Sequence, residues 1–87
     1  MDLTQIRQNI DHIDRQLVDL LCQRMALSAQ VAEYKKENGL AIFVPQREQE
    51  ILQHIGEQAG PEMAAYVCKL YASLFALSKD YQAEVIK

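Results

Sequence analysis

From Leu3 to Tyr34 the apolar side chains return at Leu3, Ile6, Ile10, Ile13, Leu17, Leu20, Leu27, Val31 and Tyr34. The intervals alternate between three and four residues, the period of one face of an α-helix. The alternation closes only when Arg24 is counted within it. This spacing predicts a first helix from about Thr4 to Lys36. Asp2, with Gln5 three residues on, resembles a capping box at its start, and Asn38-Gly39 is a stop signal. A helix of ~33 residues is ~50 Å long. That is long for a chain of 87 residues, so much of the seam is expected to meet another chain.

Leu40 to Val44 form a short loop without polar padding, and Ile42 and Phe43 are expected to tuck against a core. Pro45 suits the first turn of a second helix that ends near Gly56, with Ile51 and Leu52 facing inward. Gly60-Pro61 restarts the chain, again with proline at a helix start. The third helix repeats the seam at Met63, Val67, Leu70, Leu74, Leu77 and Tyr81. Tyr34, Tyr66, Tyr71 and Tyr81 are expected in the core or at its edge. No strand pattern, internal repeat or second domain is visible. The expected fold is all-α: one long, one short and one medium-long helix, a single domain over residues 1–87 that forms an intertwined homodimer.

Composition narrows the function classes. Hydrophobic content of 49% and charged content of 24% suit one small globular domain. The net charge of −3 gives no general attraction to nucleic acid. No apolar run approaches the ~20 residues that span a bilayer, and the opening residues lack a signal-peptide pattern. Cys22 and Cys68 lie in helical stretches and fit no metal spacing. Free thiols in a reducing cytoplasm, with no metal site, are the expectation.

Arg24 then becomes the residue to explain. A guanidinium inside an apolar seam is costly unless an anion or a full set of hydrogen bonds meets it. Lys35 follows eleven residues later, a net rotation of about 20° and a rise of ~16 Å. Both side chains can therefore reach one space, with Val31 as an apolar wall between them. Arg7 lies about 42 Å from Lys35 along the same helix. An antiparallel pair of long helices crossing near residue 18 would bring it back, setting position 7 of one chain beside position 29 of the other. Closed two-fold dimers are the commonest assembly, so two equivalent sites are expected, each completed by Arg7 of the partner. The second helix adds Arg47 and Glu48, and the third adds Ser78 and Gln82 on a shared face. Four cations, a carboxylate, a hydroxyl and an amide suit a small compound with two carboxylates and a hydroxyl. Neither His12 nor His54 belongs to the set, and no nucleophile–base pair is present. Lys79 is expected to face water, with a contribution to the field near the pocket as the lesser alternative.

These residues, in this order, resemble the all-helical (AroQ-class) chorismate mutases. The matching text is Ile6-Arg7 with Ile10-Asp11 and Ile13-Asp14, then Leu20-Leu21, Arg24-Met25 and Leu27, then Val31-Ala32 with Lys35, Pro45 with Arg47-Glu48, and Ser78 with Gln82. The resemblance implies a chorismate mutase, an isomerase of aromatic amino-acid biosynthesis that converts chorismate to prephenate by rearrangement within one molecule. It implies that Arg24 and the partner's Arg7 clamp two carboxylates, assisted by Ser78 and Arg47. Lys35 and Gln82 would donate to the ether oxygen, and Glu48 would accept from the ring hydroxyl. Such a reaction needs no cofactor, metal, acid or base. Catalysis would come from holding the compact conformer and placing donors where charge develops.

One position departs from the family. An acidic residue often precedes the proline of the second helix, where this chain has Val44. Without a capping carboxylate that end is weakened by about 0.5–2 kcal/mol, and a substrate contact at Val44 would have to use its backbone. Two other functions compete. An isochorismate-pyruvate lyase on the same scaffold would share the arginine and lysine positions; Glu48 favours the mutase, and Val44 weighs the other way. A non-catalytic helical dimerisation module would suit the seam but leave Arg24 without a purpose.

Overall fold

The computed structural model describes residues 2–87, among which lie three helices and no strand: α1 (Leu3–Glu37), α2 (Pro45–Ala59) and α3 (Ala64–Val85). The all-α expectation holds, and α1 agrees with its predicted bounds to within a residue at each end. The Asp2 carboxylate accepts from the Gln5 backbone N–H at 2.8 Å, satisfying one of the orphan donors of the first turn. At the other end Gly39 takes φ 65°. Its N–H donates to the Lys36 carbonyl at 3.4 Å and the Leu40 N–H to the Lys35 carbonyl at 2.8 Å, which closes the helix in a Schellman turn.

Two boundaries differ from expectation. α2 runs through Gly56 and stops at Ala59, because Gly60, at φ 85°, is the residue that leaves the helix. Gly56 instead sits where α2 crosses α3: a Cβ there would lie 3.7 Å from Cys68 Sγ and 3.9 Å from Ala64 Cβ. Pro61 does not open α3. It lies in a turn in which the Met63 and Ala64 N–H groups both donate to the Gly60 carbonyl, at 3.2 and 2.9 Å, and the helix begins at Ala64. At the start of α2, Val44 offers no side-chain cap, and Pro45 occupies the first turn.

The helices are ordered by α3. It packs against α1 on one side and α2 on the other. α1 and α3 run in the same direction, residue 24 meeting 78 and residue 28 meeting 82. α2 runs opposite to α3, with Cys68 reaching the Leu52 carbonyl. The buried residues are few: Ala32 and Phe75, with the polar Ser28, Ser78 and Gln82. Ile51, Leu52 and Ile42 are half-buried as expected. Phe43, Tyr34, Tyr66 and Tyr81 are not; they are exposed in the single chain. The inward face of α3 is also rotated from the predicted seam. Val67 and Leu74 turn in, joined by Tyr71, Phe75, Ser78 and Gln82, while Leu70 and Leu77 stay open.

The N-terminal part of α1 is left largely uncovered by this chain. Every residue from Asp2 to Gln23 is exposed, among them Ile6, Ile10, Ile13, Leu17 and Leu20, the last at 59%. The chain measures 54 × 26 × 15 Å with a radius of gyration of 16.0 Å, against about 12 Å for a compact domain of this length. Leu17, Leu20 and Leu21 of α1 form an apolar groove with Leu70, Tyr71, Leu74 and Leu77 of α3. Among the described residues no helix is long and apolar enough to cross a membrane.

Candidate active site

Where the C-terminal part of α1 lies beside α3, polar side chains join the apolar ones at the inward positions. Arg24, Ser28 and Lys35 come from α1, and Ser78 and Gln82 from α3, spaced by three or four residues or their sums so that each set shares a face. With the loop before α2 and the first turns of α2, they enclose a cavity of about 330 Å³. Seven of the eight residues expected from the sequence line it: Arg24, Lys35, Val44, Arg47, Glu48, Ser78 and Gln82. Arg7 does not. It is exposed on the N-terminal part of α1.

Each polar group is held by a definite contact. Arg24 Nη1 donates to Ser78 Oγ at 3.1 Å, and the guanidinium carbon lies 5.9 Å from the centre of the Tyr71 ring. The Ser78 hydroxyl in turn donates to the Met25 sulfur at 3.8 Å. Gln82 is only 8% exposed; its Nε2 donates to the Ser28 carbonyl at 3.1 Å. A primary amide carries two N–H donors, so one remains for a ligand. Lys35 Nζ donates to the Ile42 carbonyl at 3.0 Å, which ties the loop across the end of the cavity. An ammonium has three donors and a guanidinium five, so Arg24 and Lys35 both hold donors in reserve.

The charge on the walls is lopsided. Arg24, Lys35, Arg47 and Lys79 face one carboxylate, Glu48, in a chain whose net charge is −3. Ion pairing does not cancel it. Among the described residues neither Arg24 nor Lys35 has a carboxylate within 4.0 Å, and Arg47 meets only the solvent-exposed Glu50 at 3.8 Å. The apolar part of the lining comes from Leu27, Val31, Ile42, Ile51 and Phe75. A half-dry cavity with uncancelled cations has the electrostatics of an anion site.

Lys79 corrects the expectation that it faces water. Its Nζ lies 3.0 Å from Glu48 Oε2 and 4.2 Å from the centre of the Phe43 ring. The available signal was that Lys79 stands four residues after Phe75 and three before Gln82, on their face of α3. The Ser28 carbonyl was also missed; a backbone acceptor leaves no mark on sequence.

Comparison with known proteins bears on the family and the fold. The profile of a family described as "Chorismate mutase type II" matches residues 6–83. The T-protein of Enterobacter agglomerans is 47% identical over 51 residues, covering 59% of this chain and 14% of that protein. A chorismate mutase of Methanocaldococcus jannaschii is 40% identical over 53 residues, 61% of this chain and 54% of that one. The chain thus matches only part of the length of these relatives, and a small part of the T-protein. Among solved structures, a chorismate mutase (form II) from Thermus thermophilus superposes with a TM-score of 0.88 at 27% identity, covering 93% of both chains.

Proposed function

The chain belongs to the type II chorismate mutase family, and on that premise we propose that it rearranges chorismate to prephenate in the cavity between α1 and α3. The observation that carries this reading is the pair of unneutralised cations, Arg24 and Lys35, set with the Gln82 amide around one small cavity. The reaction breaks a C–O bond and forms a C–C bond inside one molecule, so the protein need not exchange a proton or an electron pair with it. What it must do is hold the folded conformer and meet the negative charge that grows on the ether oxygen.

The residues divide these tasks. Arg24, held by Ser78, and Arg47 take the carboxylates, and Arg7 of a second copy completes the clamp. Lys35 and the free N–H of Gln82 donate to the ether oxygen, where they strengthen as the bond breaks. Losing one such preorganised donor typically costs ~10²–10³ in rate, or about 1.4 kcal/mol for each tenfold. Glu48 accepts from the ring hydroxyl, and Val44 contributes through its backbone.

A homodimer with two shared sites is part of the same proposal. It is supported by the exposed apolar stripe of α1, by the groove between Leu17 and Leu77, and by the placement of Arg7 outside its own chain's cavity. Residues 1–87 act as one domain, and the unpaired Cys22 and Cys68 favour the cytoplasm as its compartment. The test is direct. Purified chain mixed with chorismate should consume it and yield prephenate. Release of pyruvate from isochorismate, with chorismate untouched, would assign the site to a lyase instead.

A further inference from the structure

We propose that Lys79 is a positioning residue of this site, which neutralises and aims the Glu48 carboxylate so that the cavity can take a dianion and still bind its hydroxyl. The inference rests on the reading of Glu48 as the acceptor for the substrate hydroxyl. Glu48 is the one carboxylate in a lining that also carries four cations, Arg24, Lys35, Arg47 and Lys79. Left bare, it would repel both carboxylates of an incoming ligand at short range in a half-dry space. The Lys79 ammonium sits 3.0 Å from its Oε2. One oxygen is thereby engaged, and Oε1 is left to accept.

This pair is unlike an ordinary surface ion pair. The side chains are 34% and 26% exposed, so each is largely withdrawn from water. The ammonium has a second partner, the Phe43 ring at 4.2 Å, contributed by the loop that also carries the Ile42 carbonyl bound by Lys35. Lys79 therefore joins three parts of the wall: α3, which carries it, the first turn of α2, and the loop between α1 and α2. The aromatic face and the carboxylate fix where its charge sits, and that in turn fixes the rotamer of Glu48.

The experiment compares steady-state kinetics of the full chain on chorismate with those of Lys79→Met, Lys79→Arg, Glu48→Gln and the double variant Lys79→Met/Glu48→Gln. Lys79→Met keeps the apolar stem and removes the charge. A contact made equally in ground and transition states moves KM and spares kcat. Lys79→Met should therefore raise KM about two- to fivefold with kcat unchanged within error, and Lys79→Arg should restore most of the loss. Where Glu48→Gln has already removed the negative charge, adding Lys79→Met should change KM no further. An unaltered KM in Lys79→Met would overturn the proposal. So would a loss of the same size in the Glu48→Gln background, which would mean that Lys79 acts on the ligand directly. A fall in kcat with KM unmoved would do the same. Should the unsubstituted chain leave chorismate intact, the functional reading fails and takes this inference with it; an active chain indifferent to Lys79→Met sinks the inference alone.

Discussion

Arg24 occupies a register position that its neighbours Leu20 and Leu27 fill with hydrocarbon. Its guanidinium is half-buried, bound to Ser78 and lying against Tyr71, with no carboxylate to neutralise it. Holding an unpaired charge there opposes folding. Arg24→Leu should accordingly leave the thermal melt unchanged or raise it, while lowering turnover of chorismate by at least ~10³, since on the proposed reading it removes a carboxylate clamp and a source of transition-state field together. A melt and a rate assay on the same sample check both halves. This residue was legible in the sequence because it broke a regular pattern. Ser78 and Gln82 were legible only as an i, i+4 pair within a longer set of matches. Lys79 carried a spacing signal that its residue type outweighed, because a lysine beside a serine on a helix is ordinarily solvated. What turns it inward is the position of Glu48 and Phe43, fixed by tertiary packing.

At the scale of elements, helix starts and stops were written more clearly than helix faces. The Asp2 cap and the Asn38-Gly39 stop could be read directly, since each rests on local backbone chemistry. The end of α2 was misplaced because two glycines, Gly56 and Gly60, compete for it, and only positive φ at Gly60 decides between them. The face of α3 was mis-set because this helix is apolar around much of its circumference, so periodicity does not fix its phase. The two kinds of glycine should respond oppositely to substitution. Gly56→Ala places a methyl at ordinary contact distance from Cys68 and Ala64 and should stabilise the fold by about 0.5–1 kcal/mol. Gly39→Ala meets no neighbour within 4 Å, yet forces alanine to φ 65° and should cost about 1–2 kcal/mol. Chemical denaturation of the two variants measures both signs.

For the whole molecule, the apolar seam that predicted α1 was expected to meet another chain, and from Leu3 to Leu21 its large apolar residues are exposed in the single chain. The proposed pairing makes a specific demand. Arg7→Ala and Lys35→Ala subunits should each be inactive as homodimers. Mixed and allowed to exchange, they should recover about one quarter of wild-type activity, because half the dimers are mixed and each carries one intact site. If mixed dimers form and remain inactive, Arg7 does not cross between chains.

The length of α1 left uncovered has one more effect. On the proposed pairing, a catalyst whose anion clamp is divided between two molecules switches itself off on dilution, however well each copy is folded. Output then climbs more steeply than in proportion to the amount of polypeptide until association saturates, so synthesis level itself becomes a throttle on flux.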